Sequence, residues 1–164
     1  ENVPFIVGFA KALELAQKEK GKETKRLLKL NNKLIKGLLK IPKTFLNGHP
    51  TKRLPNNANI TFLDIEGEAL LLLLNEYNIY ASTGSACTSE KLGPSHVILA
   101  IGLPYEAAHG SIRFTLGKKT TEKDIDKVLY TLPKLVKTLR CMSPVEIKMS
   151  TIKEIVKNEK KLRC

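Results

Sequence analysis

The sequence has no tryptophan, and aromatic residues fill only 5% of its 164 positions. That scarcity removes the ring platforms on which single-stranded nucleic acids stack. Cysteine is scarce as well: Cys87, Cys141 and Cys164 are odd in number and far apart. Such spacing gives neither a disulfide framework nor a zinc knuckle, and a reducing, cytoplasmic setting is expected. The apolar run Leu70–Leu74 is far too short to span a bilayer. No glycine-rich turn links a strand to a helix, so dinucleotide and phosphate-loop sites are not expected. The chain opens at Glu1 without a basic-then-apolar leader, which reads as a processed chain, a domain or a fragment.

What is present describes a folded domain. Hydrophobic residues make up 42% and charged residues 27%, enough for one core in a soluble protein. The formal net charge is +12 and it is uneven. Residues 11–53 carry thirteen lysines and arginines against Glu14, Glu19 and Glu23. A stretch of that kind is either a solvated helix face or a docking surface for an acidic partner or nucleic acid. No recognised nucleic-acid-reading motif accompanies it.

Periodicity gives the outline. Phe5, Phe9, Ala12, Leu13 and Ala16, then Leu27, Leu30, Leu34, Leu38 and Ile41, predict one long helical segment. Gly21 marks a bend in it and Pro42 its end. Asn47-Gly48-His49-Pro50 and Leu54-Pro55-Asn56-Asn57 are turn chemistry. Strands are predicted at Asn59–Leu63, Ile79–Ala81 and Ser111–Leu116, the last from the alternation of Ile112, Phe114 and Leu116 with Ser111, Arg113 and Thr115. Helices are predicted over 66–76, from Pro94 to Ile101, and after a cap at Thr120 or Thr121. The last of these continues through Val128, Leu132, Leu135 and Leu139, with Pro133 a candidate kink. The expected fold is an α/β layer, a short sheet with helices packed on it. The expected division is a domain over 1–144, made of a bent helical segment 1–41 and an α/β core 59–144, followed by a Lys-rich tail 145–164.

Few residues stand out chemically. Cys87 lies in a loop with no bulky side chain from Ala81 to Ser89. Lys91 and His96 are near enough in sequence to supply the positive charge that favours a thiolate. The same cysteine would serve equally as a small buried hydrophobe. Arg113 stands on the polar side of its strand, where a planar guanidinium can fork a carboxylate or pair with a surface acid. His109 and His96 mean little alone, and Glu66 and Glu68 read as helix-start residues.

Together, these stretches resemble the C-terminal portion of NifS/IscS-type cysteine desulfurases, pyridoxal-phosphate enzymes of fold type I in the class-V aminotransferase family. The resemblance covers about residues 1–144. It is carried by Ile65-Glu66-Gly67-Glu68-Ala69-Leu70, by Ser82 to Ser89 and by Leu92-Gly93-Pro94-Ser95-His96-Val97. It continues through Ala107-Ala108-His109-Gly110-Ser111-Ile112-Arg113-Phe114-Thr115-Leu116-Gly117 and Leu139-Arg140-Cys141-Met142-Ser143-Pro144, and Glu1-Asn2-Val3-Pro4 matches the family segment that opens this region. The resemblance implies a small C-terminal domain with a mainly antiparallel sheet. It implies sulfur transfer from L-cysteine, leaving L-alanine, to a persulfide on Cys87 and on to an iron–sulfur scaffold protein. Arg113 would hold the substrate carboxylate, with His109, Ser85 and Thr88 in support. A transient [2Fe-2S] cluster on Cys87 and a homodimeric full enzyme are further implications. Pyridoxal phosphate would act as electron sink. The family's cofactor lysine and pyridine-ring contacts lie in a large N-terminal domain that nothing here matches, so the chain by itself is expected to be inactive. The alternative is a non-catalytic basic module that docks a scaffold protein or nucleic acid.

Overall fold

A computed structural model describes residues 1–83, 95–144, 146, 147 and 150. Helix α1 runs from Val3 to Leu38 without interruption, so the expected bend at Gly21 does not break it. Asn2 starts it, its Oδ1 accepting from Phe5 N at 3.2 Å. Strands β1 (Thr44–Leu46), β2 (Asn57–Phe62) and β3 (Ser111–Thr115) form one antiparallel sheet in the order β1-β2-β3. Between β2 and β3 lie α2 (Gly67–Glu76), α3 (His96–Ala100) and the single turn α4 (Tyr105–Ala108); α5 (Glu122–Met142) closes the described fold. The observed fold is therefore a small three-stranded antiparallel sheet with helices packed on it.

The pleat sends alternate side chains to opposite faces. Ala58, Ile60, Phe62, Ile112 and Phe114 point into the main core, where they meet Leu30, Leu34 and Leu38 of α1 and Ile125, Leu132 and Val136 of α5. A smaller cluster of Leu63, Ile98, Leu103, Ala107 and Ala108 gathers α3 and α4 beside the sheet. Polar fastenings hold the layers. Arg26 donates to the carbonyls of Gly117, Lys118 and Thr120, and Lys33 pairs with Glu122 and Asp126. Part of the basic stretch is thus consumed inside the fold. Asp64, 9% exposed, accepts from Lys43 Nζ at 2.8 Å and from Ile147 N at 2.6 Å.

One local expectation changes, and the fold adds two details. Ile79–Ala81 is not a strand; the ordered pairing there is a single bridge between Ser82 and Arg113. Strand β1 has only three residues and exists because Thr44, Phe45 and Leu46 pair with Phe62, Thr61 and Ile60. Pro133 sits inside α5, which continues on both sides of it. Thr121 is the cap of α5. It forms a capping box in which Asp124 Oδ2 accepts from Thr121 N at 2.7 Å and Thr121 Oγ1 accepts from Asp124 N at 3.4 Å.

The bonds from the Thr121 backbone and then its hydroxyl lower the Asp124 carboxyl pKa below its ordinary value. A carboxyl lowered in the folded state contributes stability above its unfolded pKa of about 3.9, and that contribution is lost as the pH falls further. Thr121→Ala is expected to cost about 1 kcal/mol at neutral pH in urea unfolding. The difference between the variant and the parent should shrink when the titration is repeated at a pH below the folded pKa.

Candidate active site

The arrangement around Arg113 begins with backbone geometry. Asn59 is its Cα partner on β2. On the other side Arg113 N donates to Ser82 O at 2.7 Å, and Ser82 N donates to Arg113 O at 3.1 Å. Arg113 is therefore pinned on both edges while its side chain stands exposed on the face away from the main core. It lines a cleft of about 370 Å³ together with Asn47, His49, Lys52, Arg53, Asn59 and the buried Ser95. Leu54 and, from α3, Val97, Ile98 and Ile101 give the cleft an apolar side.

Residues 84–94 fall between Thr83 and Ser95, and the described residues on either side of that segment both meet this site. Ser82 is bonded to Arg113, and Ser95 lines the same cleft. Thr83 rests on Gly67, where an added methyl carbon would stand 3.0 Å from Thr83 Cγ2 and 2.8 Å from His109 O. A glycine is required there by close approach rather than by backbone twist. Cys87, Ser85 and Thr88 lie outside the described residues, as do Lys91, Cys164 and all of the tail except 146, 147 and 150.

His109 does not join the Arg113 cleft. Its ring packs edge-on against Tyr105 at 4.8 Å, and its Nδ1 is 3.8 Å from Glu66 Oε2. What it brings to the site is its carbonyl, which accepts from Gly67 N at 3.0 Å. His96 starts α3 and is exposed. Cys141, a free exposed thiol, lines a different cavity between α1 and α5.

Sequence reasoning missed His49, Lys52, Arg53 and Asn59. His49 sits in what reads as turn chemistry and Lys52 and Arg53 at the end of the basic stretch, and the pairing of β1 with β2 brings that connection to the Arg113 cleft. The one available signal was the adjacent basic pair Lys52-Arg53 in a segment rich in Asn, Gly and Pro.

The donor set of the cleft suits an anion. Among the described residues, no carboxylate lines it to pair with a pyridinium nitrogen, and no Phe, Tyr or Trp offers a ring to stack on a pyridine. By itself the cleft therefore does not fit pyridoxal phosphate. Among the described residues, no group of three His, Cys, Asp or Glu side chains is placed to hold a metal ion, and no helix is long and apolar enough to cross a membrane.

Comparisons with known proteins give the family and the fold. The model of the class-V aminotransferase family matches residues 1–128. The chain is 60% identical over 145 residues to cysteine desulfurase IscS of Methanosarcina thermophila, covering 88% of this chain and 36% of that protein. It is 52% identical over 145 residues to cysteine desulfurase IscS 1 of Archaeoglobus fulgidus, covering 88% and 38%. Among solved structures, a NifS-like protein superposes with a TM-score of 0.73 at 34% identity, over 85% of this chain and 35% of that one. A NifS-like protein from Rickettsia africae gives 0.73 at 29% identity, over 84% and 35%. The chain spans a little over a third of the length of these relatives. It belongs to the class-V aminotransferase family, among the proteins of the IscS and NifS cysteine desulfurase type.

Proposed function

We propose that this chain is the sulfur-accepting portion of a cysteine desulfurase. Arg113 holds the carboxylate of L-cysteine, and the Cys87 thiolate attacks the substrate sulfur. An S–S bond forms and the substrate C–S bond breaks with its electron pair passing to the carbon fragment, which takes up a proton and leaves as L-alanine. The persulfide then passes to an iron–sulfur scaffold protein, with a transient [2Fe-2S] contact at the same cysteine as a secondary role. Pyridoxal phosphate would be held by the remaining two thirds of the longer enzyme and, when bound there, would serve as electron sink. The observation that carries this reading is the placement of Ser82 and Ser95. Ser82 is bonded to Arg113 and Ser95 lines the same cleft, so the described residues before and after the Cys87 stretch both lie at the cleft of the carboxylate-holding residue.

The experiment is reconstitution. The chain, joined to or co-expressed with the N-terminal portion of a relative, should release alanine from L-cysteine where neither part does so alone. Full alanine release by the N-terminal portion alone, or none from the combination, sinks the proposal.

A second observation supports a larger assembly, in which this chain docks on the N-terminal portion of the longer enzyme. Residues 3–22 of α1 are all exposed although most of the first four turns are apolar; Phe5 and Phe9 are 77% and 72% exposed. A helix apolar all round is normally buried in a larger body. Phe5→Glu with Phe9→Glu is expected to weaken association with the N-terminal portion roughly a hundredfold, about 3 kcal/mol. Pull-down of the co-expressed portion reads this directly. Undiminished recovery of the complex would show that this face is not the contact.

A further inference from the structure

The cleft beside Arg113 holds more positive charge and more donors than one amino-acid carboxylate needs. Arg113 has no carboxylate within ion-pair distance among the described residues, and neither has Lys52 or Arg53. Arg53 braces the turn instead, donating to the carbonyls of Asn57, His49 and Asn47 at 3.2 to 3.5 Å. Its charge therefore stays in the wall, although burial pushes its pKa down.

Two neutral side chains are also set as donors. His49 Nδ1 accepts from Thr51 N at 3.1 Å and Lys52 N at 2.9 Å, which puts the proton of the neutral ring on Nε2. Asn59 Oδ1 accepts from Asn47 Nδ2 at 2.6 Å, which leaves the Asn59 amide hydrogens to donate. Asn47 is itself fixed by Thr61, which is fully buried, so this donor has a rigid floor.

The charges come from two separate segments: Arg113 from β3, and His49, Lys52 and Arg53 from the β1–β2 connection. Leu54, Val97, Ile98 and Ile101 supply an apolar surface in the same cleft. A volume of about 370 Å³ lies within the range of small-molecule sites. A compact single anion would leave one of the two basic segments and the apolar side unused.

We propose that this cleft binds a small dicarboxylic acid, with one carboxylate on Arg113 and the second on the wall formed by His49, Lys52 and Asn59. The inference rests on the reading of Arg113 as a carboxylate holder and extends it to a second anionic group that L-cysteine lacks.

Calorimetric titration of the chain with succinate, butyrate and inorganic phosphate tests it. Succinate should bind about tenfold more tightly than butyrate, because only it reaches both segments. Lys52→Ala should weaken succinate about fivefold and leave butyrate unchanged. Arg113→Gln should weaken both acids. His49→Gln, a second exposed-loop change, should reproduce the selective loss for succinate. Equal binding of succinate and butyrate overturns the inference, as does the absence of saturable binding. Phosphate binding as tightly as succinate also overturns it, because that marks a general anion patch. The roles of Arg113 and Cys87 in desulfuration are read separately by alanine release. A chain that supports alanine release but shows no preference for succinate sinks this inference alone.

Discussion

Cys87→Ser in the reconstituted enzyme is expected to lower alanine release by a thousandfold or more, roughly the effect of removing a covalent nucleophile. Serine is close in size to cysteine but gives no thiolate at neutral pH, so the S–S bond cannot form. Cys141→Ser is the matched control. Cys141 is exposed on a cavity between α1 and α5, away from Arg113, and its removal should leave the rate unchanged. Arg113→Lys completes the set. The main chain at 113 is held by β2 on one side and Ser82 on the other, so lysine occupies the same place. It offers a point charge instead of a planar fork, and kcat/KM should fall about tenfold to a hundredfold. Because residue 113 is exposed, urea unfolding should change by less than about 0.5 kcal/mol. A large loss of stability in that variant would make Arg113 a structural residue.

Gly110→Ala is expected to destabilise the chain by about 3 kcal/mol or more. A methyl carbon at Gly110 would stand 2.0 Å from the carbonyl oxygen of Phe62 and 3.2 Å from that of Ile65. Both obstacles are backbone, so no side-chain rotation relieves them. The approach is close because Phe62 N donates to Gly110 O at 2.9 Å, where β2 passes the entrance to β3. Separating the two segments would break that bond and disturb His109 and Gly67, on which Thr83 rests. Urea unfolding should show a lower midpoint with an unchanged slope. An unchanged midpoint would mean that the approach of β2 to Gly110 is looser than described.

Much of this was legible from pattern alone. Ser111 to Thr115 alternates so cleanly that both its inward side and the outward Arg113 followed from a period of two. Thr120 and Thr121 ahead of Glu122, Asp124 and Asp126 announced the start of α5, and the fold makes Thr121 the cap. The misses share one cause, dependence on distant partners. Thr-Phe-Leu at 44–46 carries no strand signal of its own and becomes β1 through pairing with β2. Ile79–Ala81 has the composition of a strand, but Ser82 is where the chain meets β3. The single turn α4 is too short for any helical period to show. For the site, the stretches around Cys87 and Arg113 carried the family resemblance. The basic wall at His49 to Arg53 was hidden because loop residues converge on a cleft only after the sheet has formed. The apolar start of α1 was visible as a helix, but its exposure could be known only from the fold.

The most direct measurement is the mass of the Cys87 peptide after the reconstituted enzyme is given L-cysteine and quenched with a thiol-blocking reagent. The account predicts one added sulfur atom on Cys87, none on Cys141 or Cys164, and no addition in the Arg113→Gln variant at low substrate. Added sulfur on another cysteine, or alanine release with Cys87 unmodified throughout turnover, would contradict it.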